Sequence, residues 1–302
     1  MSATPLVSVV VAAYKHEAFI EACLRSIERQ TYARLELILI DDCSPDATFD
    51  IASRVAAKSA KRYARVVVKR NAVNRGAHFT LNRAASLAQG EYISFMNSDD
   101  AYAPTRIEAM TSALARSGRR WGFSGVLTID ADGQPYFDET LCHHIYWRPH
   151  VYSRRLPSLS WCFMPFQATA STGNLFVERA LHERIGGFAD LKYCHDWDYA
   201  LRAVFEAEPA FEPQDLYLYR IHGANSFRSL SDVAEADTRY CLRGYLSRAM
   251  SRRPVNPLAP SPANWPTLFH PLIQTLGLQS HVKALYDPYQ PHHRTVDLAA
   301  AE

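Results

Sequence analysis

The sequence predicts an α/β domain built on a mostly parallel central sheet flanked by helices. Strand-like and helix-like segments alternate through the first hundred residues, and the strand segments are largely apolar, as expected where both faces of a sheet are covered. Composition agrees, since 48% of the 302 residues are hydrophobic and 21% charged, which excludes a disordered or fibrous chain.

Val7 to Val11, rich in β-branched residues and bounded by Pro5 and by Lys15 and His16, reads as a central strand. Ile20, Cys23, Leu24 and Ile27 recur at helical spacing, and Leu35 to Ile40 forms a second strand. Ser44 is expected to cap a helix that starts at Pro45 and carries Ile51, Val55 and Ser59 on one face. Residues 65 to 69 give a third strand; Ala77, Leu81, Ala84 and Ala88 give a helix ending at Gly90; Glu91 to Met96 give a fourth strand. Pro104 opens a helix with Ile107, Met110 and Leu114 on one side, followed by a strand from Trp121 to Ile129 and a turn at Asp132 and Gly133.

Between residues 140 and 168 lie His143, His144, Tyr146, Trp147, Trp161, Phe163 and Phe166 with no clean period, a pattern that suits either a long loop over a site or a loop packed into the core. A strand from Gly173 to Val177, a helix from Arg179 to Ile185 and a helix from Asp196 to Glu206 follow. Beyond residue 230 the character changes. Eight of the seventeen prolines fall between Pro254 and Pro291, so short helices and extended pieces are expected to wrap the main domain.

With 33 basic against 31 acidic residues, the formal charge of +2 gives no footprint for nucleic acid. The apolar run from Leu6 to Ala13 lacks a basic flank and is too short to span a bilayer, so the chain reads as cytoplasmic. Cys23, Cys43, Cys142, Cys162, Cys194 and Cys241 form no CxxC pair and read as reduced thiols.

Parallel sheets hold ligands at the carboxyl ends of their strands. Three acidic clusters are expected near those ends: Asp41 with Asp42, Asp99 with Asp100, and Asp196 with Asp198. The pair in ISFMNSDD could hold a divalent cation and the phosphates it carries, or one of the two could cap the helix opened by Pro104. Asp42 could accept from a nucleobase or ribose group, or serve its own turn. Asn74, Arg75 and Gly76 stand before a helix, where an anion could bind or where a plain helix entry needs none. Asp196 sits at a helix start, suited to a general base or a cap, and His222 could be a site residue or a buried core histidine. No GxGxxG follows the first strand and no GxxxxGK[ST] occurs, which removes the dehydrogenase and P-loop readings.

In order, these segments resemble the inverting family 2 glycosyltransferases of the GT-A fold, over roughly residues 6 to 228. VSVVVAAY resembles the opening strand, LELILIDDCSPD the "EIIVVDDGSTD" segment, and NRGAHFTLNRA the "NxGxxxARNxG" segment. GEYISFMNSDDAYAP resembles the segment carrying the metal motif, STGNLFVERALHERIGGF the acceptor-side strand, and HDWDYALR and LYRIHGANS the "EDxxLxxR" helix and "YRxH" strand. The resemblance implies Ala12 and Tyr14 beside the nucleobase, Asp42 on the base, and Arg75 beside the nucleotide. It also implies Asp99 near the ribose, Asp100 as the more direct ligand of Mn2+ or Mg2+, His222 near the metal or diphosphate, and Asp196 as the base. Ala12 stands where proline is usual, Lys15 for asparagine, Asn97 for the first aspartate of "DxDD", and His195 for glutamate.

The expected organisation is a glycosyltransferase domain over 1–229, with a nucleotide-sugar half to about 103 and an acceptor half from about 104, and a Pro-rich extension over 230–302 packed on the core. The expected activity moves a sugar from a UDP- or dTDP-linked donor to a hydroxyl of a glycan or lipid-linked acceptor in cell-envelope polysaccharide synthesis. Peripheral contact at the inner face of the membrane through Arg148 to Trp161 is part of that expectation. The alternatives are a non-catalytic sugar-nucleotide or glycan-binding module and a sugar-nucleotide nucleotidyltransferase. The latter would want a glycine-rich loop where VAAYKHEAF has no glycine.

Overall fold

The computed structural model describes residues 4–137, 155–223, 225 and 231–285. Strands β1 (Val7–Ala13) and β2 (Leu35–Asp41) lie parallel at its centre, with helix α1 (Ile20–Glu28) between them in sequence. Their residues alternate between two cores, as the period of two along a strand requires. Val7, Val9, Val11, Leu35, Leu37 and Leu39 face one way, and Val10, Ile38 and Ile40 the other. On the first face pack α1, α2 (Thr48–Lys58) and α4 (Arg106–Ser117). Against the second pack α3 (Ala77–Ala85), α5 (Arg179–Ile185) and α6 (His195–Glu206).

The remaining strands are β3 (Arg65–Arg70), β4 (Tyr92–Asn97), β5 (Ala101–Tyr102), β6 (Trp121–Ile129), β7 (Phe176–Glu178) and β8 (Ala210–Arg220). One sheet holds all eight in the order β3-β2-β1-β4-β7-β6-β8-β5, with β7 and β5 running against the other six. The chain goes outward from β1 to β2 and β3 and then returns to β1's other side as β4, so the strand order reverses at β1. A crevice opens at such a reversal, beyond the carboxyl ends of the strands.

Several local expectations change. Ser44 does not cap α2: its hydroxyl accepts from Lys15 N at 3.0 Å, and the helix begins at Thr48 after Ala47, with Asp46 just before them accepting from Thr48 N at 3.1 Å. Helix α3 ends at Ala85, before Gly90. Gly90 is needed for a close crossing, since a Cβ there would lie 2.6 Å from Ser8 Oγ and 2.7 Å from Leu6 O. Residues 172–174 form a short 3-10 turn, because the Asn174 side chain bonds Ser124 O (2.9 Å) and Thr169 O (3.0 Å), and β7 starts only at Phe176. Trp161 and Phe163 are fully buried beneath α6 and serve the core. His143, His144, Tyr146, Trp147 and Cys142, residues 148–154 of the basic aromatic stretch, and the 229/230 boundary lie outside the described residues.

After residue 230 come a 21-residue helix, α7 (Ser231–Ser251), and two short ones, α8 (Phe269–Thr275) and α9 (Gln279–Leu285). Cys241, Leu242, Tyr245 and Leu246 of α7 join the same buried cluster as Tyr199 and Phe205 of α6. Asn256 then ties the proline-rich segment down, donating to Val204 O at 2.9 Å and Glu208 Oε2 at 3.0 Å.

Candidate active site

Beyond β1 the backbone turns at Lys15, whose φ of 56° is left-handed. Asparagine adopts that conformation more readily than lysine, which accounts for the residue type usual there. The turn is held by Ser44 and by Thr48 Oγ1, which accepts from His16 N at 2.8 Å, and it aims the His16 ring back over the sheet edge. There His16 Nδ1 lies 2.7 Å from Ser98 Oγ, in the tight turn after β4.

That turn separates two neighbouring carboxylates. Pairing of β5 with β8, Tyr102 opposite Tyr217, brings β8 over Asp100. Its carboxylate accepts from Arg220 N (2.7 Å), Asn97 Nδ2 (3.1 Å) and the Tyr217 hydroxyl, and the residue is 1% exposed. Burial and the adjacent Asp99 charge push its carboxyl well above the ordinary range. Asp99 faces the other way. Its Oδ2 is 3.1 Å from His222 Nε2 and 3.6 Å from His16 Nε2, and the ligand atoms of these three residues all lie within 4.8 Å of one another. Burial pushes the Asp99 carboxyl up, but the His222 hydrogen bond and the two imidazole charges outweigh it and hold the group below its ordinary value. Asp99, not Asp100, presents its carboxylate to the histidines, because the Asp100 carboxylate is taken up by donors inside the protein. Two imidazole nitrogens and a carboxylate oxygen at this spacing fit a divalent cation.

At the neighbouring strand ends, Asp42 also turns inward. Its carboxylate accepts from Arg75 N (2.9 Å), Gly76 N (2.8 Å) and Asn71 Nδ2 (2.6 Å), so it shapes the turn into α3, where Gly76 takes a φ of 86°. The Arg75 guanidinium lies exposed over the Phe79 ring at 4.1 Å, Tyr14 is exposed beside Lys15, and Ala12 is half-buried. Asp41, wholly buried, accepts from Ser44 N at 2.9 Å through Oδ2, while its Oδ1 has no hydrogen-bond partner among the described residues.

Asp196 is the second residue of α6 and, among the described residues, accepts from its own neighbour Trp197 N at 2.7 Å. Asp198 is bound to Arg202 Nε at 2.8 Å, which leaves Asp196 as the carboxylate of this helix start without an ion pair among the described residues. The loop into α6 is held from α7, where Asp237 Oδ2 accepts from Tyr193 N (2.8 Å) and Cys194 N (3.2 Å). From α6 a chain of contacts runs to the other carboxylates: His195 Nε2 to Thr172 Oγ1 (3.2 Å), then Ser171 Oγ to Asn97 Nδ2 (2.7 Å), and Asn97 to Asp100. Tyr219, on β8, is near enough to these groups to feel their charges. Burial pushes its hydroxyl well up, and the charges of Asp100, Asp99 and Asp196 all add to that shift. A cavity of about 180 Å³ lined by Arg119, Glu206 and Asn256 sits at the far end of the 12-residue α6, away from these groups.

Gly173 is the close-packing point of this arrangement. A Cβ there would stand 2.1 Å from the Tyr217 hydroxyl and 2.9 Å from Asn97 N. Gly173→Ala is therefore expected to cost about 1–3 kcal/mol, the usual range for overpacking, and to loosen the Asn97–Asp100 turn. Thermal unfolding checks the first effect and cation affinity the second; a variant as stable as the parent would show that Tyr217 can yield.

Residues 8–137 match the family described as Glycosyl transferase family 2. The chain carries a family 2 glycosyltransferase domain. Glycosyltransferase EpsJ of Bacillus subtilis, itself uncharacterized, is 28% identical over 72% of this chain and 61% of its own length. The UDP-Glc:alpha-D-GlcNAc-diphosphoundecaprenol beta-1,3-glucosyltransferase WfaP of Escherichia coli is 36% identical over 34% of this chain and 38% of its own. The chain thus spans less than two thirds of the length of these curated relatives. Among solved structures, S. aureus TarS 1-349 in complex with UDP-GlcNAc superposes with a TM-score of 0.59 at 17% identity, covering 92% of this chain and 81% of that one. The Pyrobaculum calidifontis mannosyltransferase PcManGT, in complex with GDP-Man and Mn2+, gives 0.56 at 18%, covering 94% and 87%. At this identity the likeness is one of fold, and the fold is GT-A.

Within this family 2 domain, Asn97 stands where a carboxylate is usual, and its amide donates to Asp100 at 3.1 Å and to Ser171. A third carboxylate there would face Asp100 with like charge. Residues the sequence pattern passed over are His16, Tyr217, Tyr219 and Arg220. The only signal for His16 was its place directly past the first strand; Tyr217 and Arg220 N act through a strand pairing more than a hundred residues from Asp100. No helix among the described residues is long and apolar enough to cross a membrane.

Proposed function

We propose that the protein is an inverting glycosyltransferase that moves a sugar from a UDP- or dTDP-linked donor to a hydroxyl of a glycan or lipid-linked acceptor in cell-envelope polysaccharide synthesis. The observation that carries this reading is a cation-type cluster, Asp99 with His222, beside Asp196, a carboxylate with no ion pair among the described residues whose helix start is linked to the Asp99–Asp100 turn through the His195–Thr172 and Ser171–Asn97 contacts. Neighbours of the same fold that bind UDP-GlcNAc, or GDP-Man with Mn2+, support a nucleotide-sugar donor, and the diphosphoundecaprenol acceptor in WfaP's name supports a lipid-linked one at a membrane face.

In this reading Ala12, Tyr14, Asp42 and Arg75 border the nucleotide, Asp42 by holding the turn that bears Arg75. Asp99 and His222 hold the cation, Mn2+ or Mg2+, which when bound offsets the charge on the departing diphosphate. Asp100 fixes the turn from beneath. Asp196 takes the acceptor's hydroxyl proton as the oxygen forms its bond to the anomeric carbon; the bond to the phosphate oxygen breaks on the opposite face, and the nucleoside diphosphate leaves with that electron pair. One displacement of this kind inverts the anomeric centre.

The test is thermal melting against UDP-, dTDP- and GDP-linked sugars with and without Mn2+ or Mg2+. A donor at a hundred times its Kd should add about 2.7 kcal/mol of stability in the presence of cation. No shift with any sugar nucleotide under either ion would overturn the reading.

A further inference from the structure

We infer that His16 is a third protein ligand to the cation, so that the site takes a first-row transition ion rather than magnesium and takes it before any nucleotide is bound. This rests on the reading above, which requires a cation at Asp99 but only two protein ligands.

The His16 ring is placed as a metal-binding imidazole is placed. Its Nδ1 is engaged by Ser98 Oγ at 2.7 Å, its backbone by Thr48, and its Nε2 is left pointing at Asp99 Oδ2 across 3.6 Å. A ligating histidine commonly has its second nitrogen held in this way. The 3.6 Å separation is an ion-pair distance and too long for a hydrogen bond, so no hydrogen bond ties Nε2 to Asp99. His222 enters from β8 with its ring packed at 4.5 Å on Phe19 and nearly perpendicular to His16, at 88°. The three side chains are only 20%, 6% and 13% exposed for His16, His222 and Asp99, so the water that would compete for the ion is limited. Donor atoms within 4.8 Å of one another can share one ion at bond lengths of about 2 Å with small side-chain movements. Magnesium favours an all-oxygen shell and usually rests on one or two carboxylates plus substrate phosphates; two imidazoles favour a transition ion and need no phosphate to complete the hold.

The experiment titrates Mn2+ into the chelator-stripped full chain without nucleotide and follows free Mn2+ by electron paramagnetic resonance. Uptake of one ion per chain, couplings from two imidazole nitrogens in the pulsed spectrum, and no displacement by a hundredfold excess of Mg2+ are expected. His16→Gln should weaken uptake tenfold or more and remove one nitrogen coupling, and Ser98→Ala, which frees only the ring, should weaken it severalfold. Absence of uptake without nucleotide, displacement by equimolar Mg2+, or unchanged affinity in His16→Gln would overturn the inference; if that variant does not fold, the nitrogen couplings of the parent decide. The two readings fail separately. A donor-dependent melting shift without nucleotide-free uptake overturns only the third ligand, whereas uptake with no response to any sugar nucleotide overturns the transferase reading and leaves the ion site standing.

Discussion

Asp196→Asn is expected to lower turnover by about a thousandfold while sugar-nucleotide binding stays within a factor of two, the size of effect usual for losing a general base. The substitution keeps the shape of the side chain and an oxygen to accept from Trp197 N, so the start of α6 should be unchanged. What disappears is the capacity to take a proton from the incoming hydroxyl. Asp198→Asn provides the contrast two residues on: it removes the charge paired with Arg202, so it should lower the melting temperature while the folded fraction still turns over. Steady-state kinetics beside donor titration separate the cases. An Asp196→Asn protein that keeps more than a tenth of its turnover would remove this residue from the base position, and an inert site that binds donor equally well in both forms would favour a binding module.

Asp99→Asn should be as severe for a different reason. A neutral amide leaves two imidazoles facing each other with no negative charge between them, so the cation-dependent part of donor stabilisation is expected to vanish and turnover to fall by a thousandfold or more. Asp100→Asn should behave otherwise. Its buried carboxylate accepts from Tyr217, Arg220 N and Asn97, and replacing an acceptor by a half-donor among these donors should cost about 1–3 kcal/mol of stability, with the Asp99 cluster retaining affinity for Mn2+. Melting and Mn2+ titration of the two variants read these outcomes directly; if Asp100→Asn loses the ion and Asp99→Asn keeps it, the roles assigned from the geometry are exchanged.

Much of the fold is legible in the chain because its signals are local. Apolar runs such as Leu35 to Ile40 must be strands covered on both faces, and the helical spacing of Ile20, Cys23, Leu24 and Ile27 names the buried face of α1. The strand ends that carry Asp42 and Asp99 follow from the same pattern. What the pattern could not contain was direction. Whether Asp99 or Asp100 faces the crevice depends on β8 arriving beside β5, and whether Asp42 meets a ligand or its own backbone depends on how the turn at 74–76 closes over it. His16 was visible only as a polar residue that ends a strand, since its partners Ser98 and His222 lie far along the chain. Glycine at 90 looked like a helix terminator and proved to be a crossing point, a distinction that only the packed partner, Ser8, can make.

The hold of Asp237 on the backbone of Tyr193 and Cys194 makes the last quarter of the chain answerable for the helix start that carries Asp196. Exchanging this tail for that of another transferase would also exchange the clasp that sets where Asp196 sits, so, with Asp196 serving the acceptor as proposed, acceptor preference and tail identity should travel together, while the strand ends of the first hundred residues would be inherited unaltered.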